Sequence, residues 1–326
     1  MSNDNATSLI QIAESRGSLV AAYYALILVI IGTLFNIITF IVLCRSTFKN
    51  VAARPILHYM RAMAIFDILM LYGWNLDHYV SVIHGFQIQT LNIPFCKFLS
   101  FLNYFASQSS AWLRVFVSFD RYLSLSRLHR TWFSQPKNVL IIITSIMIVL
   151  FLLNFQFFLF ECYYTAHGSI TSYSLVFQIY PLWDYINLGV YNCAPFILMV
   201  IFNSGVICHL FYLRRTTTLQ NSRIQQRPIS ITLVITTFMF LFMTIPSTVG
   251  FAFFSRTNAK VLYIFDALLY TYHILSFPLY VITFDEFRQN FVSMITYRRN
   301  NRRIIPVIQA GITPKINNFA KPIINT

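Results

Sequence analysis

The sequence predicts an all-α membrane protein, a seven-transmembrane helix bundle followed by a short amphipathic helix on the membrane surface. Hydrophobic residues fill 57% of the 326 positions and charged residues only 10%, too apolar for a surface that must face water. The apolar residues fall in seven long runs, and a helix needs about 20 mostly apolar residues to cross hydrocarbon roughly 30 Å thick. Lys and Arg, finally, cluster in alternate connections between the runs, which is how cytoplasmic loops are marked.

The runs cover 19–44, 55–83, 95–122, 138–160, 185–213, 228–255 and 261–284. The first, fourth and sixth carry no Lys, Arg, Asp or Glu, whereas the second, third and seventh hold isolated charges. Inside a membrane such charges mark functional positions. One set of connections contains Arg45, Lys49 and Arg54; Arg127, Arg130 and Lys137; Arg214, Arg215, Arg223 and Arg227; and a basic tail. The opposite set holds only Arg16, Lys97, Arg256 and Lys260. The expected topology therefore has an extracellular N-terminus, a cytoplasmic C-terminus and a multi-pass location in the plasma membrane. The net charge of +14 belongs to that topology and to the anionic inner leaflet of the lipid membrane, so nucleic acid is not an expected partner.

Four regions follow. Residues 1–18 form an extracellular N-terminus whose Asn5-Ala6-Thr7 sequon makes Asn5 a glycosylation candidate. Residues 19–284 form the seven-transmembrane domain. Residues 285–299 place Phe287, Phe291, Met294 and Ile295 at helical spacing beside Arg288, Arg298 and Arg299, as in a helix lying on the membrane. Residues 300–326 read as a disordered cytoplasmic tail.

Cys44, Cys96, Cys162, Cys193 and Cys208 are far apart and form no Cys-x-x-Cys pair, so no metal site is expected. The chain contains no G-x-x-x-x-G-K-[ST], H-E-x-x-H or G-x-S-x-G, and neither an enzyme nor a cofactor is expected.

The third run carries the motifs that discriminate among multi-pass proteins. Asp120-Arg121-Tyr122 stands at its inner end, and Cys96 stands 25 residues before Arg121, about 37 Å along a helix at 1.5 Å per residue. Cys162, in the outer loop after the fourth run, is positioned to bridge to Cys96 in an oxidising compartment. Together these resemble the rhodopsin-like family of G-protein-coupled receptors. The resemblance extends to Asn36, Asp67, Ser110, Pro195 and Pro246, and covers residues 19 to about 297. It implies that Arg121 couples to a heterotrimeric G protein while Asp120 restrains it, with Tyr122 completing the motif. It also implies an internal polar network of Asn36, Asp67, Ser110 and Tyr280.

The chain departs from the family pattern at several points. The family's N-P-x-x-Y is Ser276-Phe277-Pro278-Leu279-Tyr280, its C-W-x-P is Met243-Thr244-Ile245-Pro246, Asn203 replaces a fifth-helix tyrosine, and the fourth helix has no Trp. Divergence of this kind looks like invertebrate neuropeptide receptors similar to the FMRFamide group. Residues 223 to 227 are Arg, Ile, Gln, Gln and Arg, which leaves Arg121 without an acidic partner at the foot of the sixth helix, and some basal signalling is expected. Arg114, two turns before Arg121, stands where related receptors carry an aliphatic residue. Asp67 is its nearest plausible anion, and Arg114 would there replace the sodium ion that such a carboxylate helps to hold. Backbone carbonyls or water are the other partners open to it.

Asn103 occupies the position of the amine receptors' aspartate, and no lysine lies within the seventh helix, which argues against monoamine and retinal ligands. Acidic residues on the outer half favour a cationic peptide. Asp77 lies ten residues outward of Asp67 and Asp266 fourteen outward of Tyr280, which on ideal helices sets them at similar depth. They are expected to form a joint anionic floor opposite Asn103 and Tyr104, unless Asp266 pairs instead with Lys260 or His78. The loop from Glu161 to Asp184 is long enough for a hairpin turning at His167-Gly168. Two rival readings stand beside this one: a receptor-like protein that binds ligand without coupling, and a transporter, for which no half-repeat is visible.

Overall fold

In a computed structural model of the chain, residues 2–45, 56–125, 135–171, 182–216, 227–254 and 259–300 are described. The connections that carry most of the basic residues, and the tail from 301, lie outside them. The elements are α1 (Ser2–Cys44), α2 (Ile56–Gly73), α3 (Asn75–His84), α4 (Ile93–Leu125), α5 (Pro136–Asn154) and α6 (Gln156–Phe160). A small antiparallel hairpin follows, β1 (Tyr163–Tyr164) with β2 (Ile170–Thr171). Then come α7 (Leu182–Asn187), a π-helical turn (Leu188–Cys193), α8 (Ala194–Thr216), α9 (Arg227–Phe254), α10 (Ala259–Tyr272), α11 (Ser276–Thr283) and α12 (Asp285–Asn300).

The protein is an all-α membrane protein by length and composition. Five described helices are long and apolar enough to cross a membrane, and α10 with α11 makes a sixth as a pair bent by 44°. The outward faces of these rods are apolar, as at Leu140, Ile141, Ile148, Val149 and Leu152 of α5, which fits lipid as the solvent. At 33 residues α4 is long enough to cross as well. Its apolarity is interrupted because it packs against α2, α5, α6 and α8 together and buries Ser107, Gln108, Ser109, Ser110 and Arg114.

Several boundaries differ from the sequence reading. The first helix starts at Ser2 rather than 19, because no Pro or Gly interrupts residues 2–16. Asn5 falls in its backbone, and its side chain lies outside the described residues. The second run is broken at Trp74 into α2 and α3. The seventh is broken between Tyr272 and Ser276, where His273, Ile274 and Leu275 donate to carbonyls three residues back. Pro278 explains this second break: it has no N–H, and its ring crowds the carbonyl four residues earlier.

Two apolar clusters fill the bundle. One gathers Leu43, Ile56, Met60, Met63, Leu113, Val117 and Phe287, the other Leu28, Met70, Ala106, Tyr191, Phe240 and Tyr272. Asp67 lies between them along α2. At the basic end, Arg61 closes the end of α1 by donating to the Leu43 carbonyl at 2.6 and 3.1 Å. Arg45 donates to the Asn290 carbonyl at 3.0 Å and so ties α12 to α1.

Candidate functional site

The candidate site is strung along α4. At its start, Cys96 is joined to Cys162 with a Cα–Cα separation of 6.2 Å. Both cysteines are buried, and the bond anchors the loop that continues into β1. The hairpin turns where the sequence places it: Thr165 N donates to the Ser169 carbonyl at 2.7 Å, and Gly168 takes φ of 77°, a conformation open to glycine. Cys44, Cys193 and Cys208 are free thiols.

Halfway along α4, Ser110 and Arg114 are four residues apart and so share one face. That face meets α2, where Asp67 follows Met60, Met63 and Ala64 on the buried side. Ser110 Oγ donates to Asp67 Oδ1 at 2.5 Å. Arg114 Nη2 lies 2.8 Å from Oδ2 and 3.1 Å from Oδ1, and its Nη1 donates to Ser110 Oγ. The guanidinium also lies over the Tyr272 ring, 4.8 Å from the centroid, a cation–π contact. Asp67 is 0% exposed and Arg114 6%, so each charge is neutralised almost wholly by the other.

His273 completes this hub. Its Nδ1 lies 2.7 Å from Asp67 Oδ1 and its Nε2 3.2 Å from Tyr191 Oη. A neutral ring protonated on Nδ1 satisfies both contacts, donating to the carboxylate and accepting from the phenol. The bend between α10 and α11 frees the His273 carbonyl, and Asn36 Nδ2 of α1 donates to it at 3.1 Å. Ser276 Oγ lies 3.5 Å from Asp67 Oδ2. Tyr280 is buried against Phe287 rather than bonded into the hub.

The polar layer extends further than the sequence reading took it. Asn154 Nδ2 donates to Gln108 Oε1 at 2.7 Å, and Gln108 Nε2 donates to Asn187 Oδ1 at 3.0 Å. Asn192, in the π turn, is held by Thr248 at 2.6 Å and Thr244 at 2.7 Å. His273, Tyr191, Gln108 and Asn192 were all missed. The available signal was the same for each, a hydrogen-bonding side chain inside an apolar run, which must find a partner.

At the far end of α4, Asp120 and Arg121 are buried and Tyr122 is 36% exposed. The Tyr122 ring packs on Phe202 of α8 with centroids 6.1 Å apart. Asn203 donates to Thr237 Oγ1 at 2.6 Å and links α8 to α9.

Each of the four expected ligand-binding residues has contacts of its own. Asp77 is buried and its Oδ1 accepts the backbone N–H of Gln89 at 2.9 Å. Asp266 is buried and its Oδ1 accepts from Ser247 Oγ of α9 at 2.9 Å. Among the described residues no hydrogen bond joins these carboxylates to a common partner. Asp266 is not paired with His78, which stacks on Trp74 and meets Tyr263; the Lys260 side chain lies outside the described residues. Asn103 accepts from Tyr270 Oη at 3.2 Å, whereas Tyr104 stacks on Phe157 at 4.8 Å and meets Trp183 edge-on.

Compared with known proteins, the chain matches no protein-family model and no curated relative.

Proposed function

We propose that the chain is a receptor of rhodopsin-like architecture in the plasma membrane, with its N-terminus outside. It passes the signal of an extracellular cationic ligand, a neuropeptide, to a heterotrimeric G protein. The reading counts α4 as a seventh span beside the five apolar rods and the bent pair. The observation that carries it is the disposition of three features on α4 alone. Cys96 pins one end to the hairpin loop, Ser110 and Arg114 bind Asp67 midway, and Asp120-Arg121-Tyr122 closes the other end against α8. Such a helix has one end suited to a ligand, one to a cytoplasmic partner, and a bonded core between. The buried carboxylates of Asp77 and Asp266, on the Cys96 side of that core, supply the affinity for a cation.

The test is a screen of amidated, arginine-containing peptides on cells expressing the chain with a promiscuous G protein, read as guanine-nucleotide exchange. At least one peptide should drive exchange in the wild type and none in Arg121→Ala at equal surface expression, while Asp120→Asn should raise exchange without ligand. Peptide binding without exchange would favour the uncoupled reading. Peptide accumulation inside the cell would favour a transporter.

A further inference from the structure

A column of rings joins the start of α3 to α10. His78 stacks on Trp74 with centroids 4.5 Å apart and planes 11° apart. Trp74 stacks in turn on Tyr270 at 5.8 Å and 2°, and His78 meets Tyr263 at 5.1 Å. Tyr263 and Tyr270 stand seven residues apart on α10, nearly two turns, so Trp74 and His78 hold that helix at two levels. Beyond the column, α3 leads through the turn Ile88–Thr90 to the Cys96 end of α4, where Gln89 bonds both Asp77 and Ser100.

The stack fits one charge state of His78. The residue is 8% exposed, and its Nε2 is sealed from solvent without a hydrogen-bond partner. A neutral ring can keep its single proton on Nδ1, whereas an imidazolium carries N–H at both nitrogens. Its Nε2–H would then be a buried donor with no acceptor. The indole does not supply one: with the planes nearly parallel, that N–H runs alongside the Trp74 face rather than into it. Attraction of a cation to the ring is weaker than the cost of burying an unpaired charge.

Little around the ring offsets that cost. Among the described residues the charge whose field reaches His78 is that of Asp77 on α3 itself, but Asp77 Oδ1 accepts from Gln89 N and no hydrogen bond joins it to the ring. From α10 come the phenols of Tyr263 and Tyr270, while Asp266 is bonded to Ser247 of α9. From α1, Tyr23 meets Tyr79 rather than His78. His84, at the end of α3, lies against Tyr79 and Phe86. The turn Ile88–Thr90 has no titratable side chain, and Asp67 of α2 belongs to the hub with Arg114.

We propose that His78 is a proton-operated clasp: the neutral ring closes α3 on α10 through Trp74 and Tyr263, and the protonated ring leaves the stack and frees Trp74. The open clasp binds one proton more than the closed one, so opening increases as pH falls. It operates without ligand or G protein and therefore stands apart from the receptor reading.

The test footprints the full chain in lipid nanodiscs with hydroxyl radicals at about pH 7.5 and about pH 5, which bracket the usual titration of imidazole. Oxidation of each tryptophan is read on its own peptide by mass spectrometry. In acid, Trp74 oxidation should rise several-fold relative to Trp112 and Trp183. In His78→Phe, which keeps a flat ring and does not titrate, Trp74 should show the same protection at both pH values, whereas His84→Gln should leave the rise intact. Variants are scored only if they retain the Cys96–Cys162 bond and a cooperative melt, and His78→Tyr replaces His78→Phe if that one fails. The wild-type chain alone can refute the proposal, through equal protection of Trp74 at both pH values or a common rise of all three tryptophans. A rise that survives in His78→Phe, or one abolished by His84→Gln, would overturn it as well.

Discussion

Removing either member of the Asp67–Arg114 pair should harm the protein more than removing both. In Asp67→Asn the guanidinium is left 6% exposed with only Ser110 and the Tyr272 face around it. Stranding a buried charge costs about 3 to 5 kcal/mol, and this variant belongs at the upper end. In Arg114→Met the carboxylate keeps the donors of His273 at 2.7 Å and Ser110 at 2.5 Å. Hydrogen bonds to a charged group contribute about 1.5 to 3 kcal/mol each, so the loss should fall near the lower end, about 3 kcal/mol. The double variant Asp67→Asn/Arg114→Met has no charge left to strand, and exchanging such a pair for uncharged groups of similar volume is often close to neutral. Its loss should be about 0 to 2 kcal/mol. The assay is a double-mutant cycle on detergent-solubilised chain, with melting followed by size-exclusion fluorescence and surface expression recorded in parallel. Asp67→Asn should melt on the order of 10 °C below wild type, with the double variant between it and wild type. If the double variant loses the sum of the two single losses, the charges are energetically independent and the reasoning fails.

Three further outcomes are expected. The Cys96–Cys162 bond closes a separation of 66 residues, which chain entropy converts to about 4 kcal/mol; Cys96→Ser, Cys162→Ser and the double variant should lose the same amount in melting experiments, and additive single losses would show that the bond is not formed. A Cβ on Gly32 would lie 2.4 Å from Leu71 Cδ1, and one on Gly205 2.7 Å from the Tyr122 ring; because Leu71 is 0% exposed and Tyr122 36%, Gly32→Ala should cost about 1 to 3 kcal/mol and Gly205→Ala less, with Leu71→Ala relieving the former, and an inverted order would refute this packing. Asp266→Asn and Asp77→Asn should each weaken an arginine-containing agonist by about 2 to 5 kcal/mol with surface expression spared; equal potency across wild type and both variants in the exchange assay would end the case for a cationic ligand.

The sequence made the apolar rods legible because lipid demands long apolar helices, and it made α4 legible through Cys96 and Asp120-Arg121-Tyr122 where apolarity alone falls short. The facing of Arg114 and Asp67 was legible too, since two opposite charges in neighbouring apolar runs have few other partners. Depth was not. Counting from Asp67 to Asp77 crosses the break at Trp74, and counting from Tyr280 to Asp266 crosses the break at His273, so a uniform 1.5 Å rise holds on neither path. No Pro marks the first break. It lies beside Gly73, where a Cβ would meet the Asn103 backbone at 3.1 Å, and such an approach belongs to packing between helices. His273 escaped notice for a related reason: its carbonyl is available to Asn36 only because the helix bends there.

The π turn at Leu188–Cys193 works as a phase shifter. Ala194 N donates to the Gly189 carbonyl, five residues back, so the chain accommodates one residue more than an α-helical turn would. Both Tyr191 and Asn192 thereby point inward, the first reaching His273 of the seventh run and the second Thr244 and Thr248 of the sixth. A regular helix would carry one residue fewer through this turn and so rotate the side chains before it by roughly 100° relative to those after it. The surplus residue thus couples the fifth rod to two others through consecutive side chains. It also sets the azimuth of everything before it, Asn187 and Trp183 included, independently of everything after it. Loss of a single residue here would restore ordinary winding and rotate the Trp183 end of the rod while its Tyr122-facing end kept its bearing.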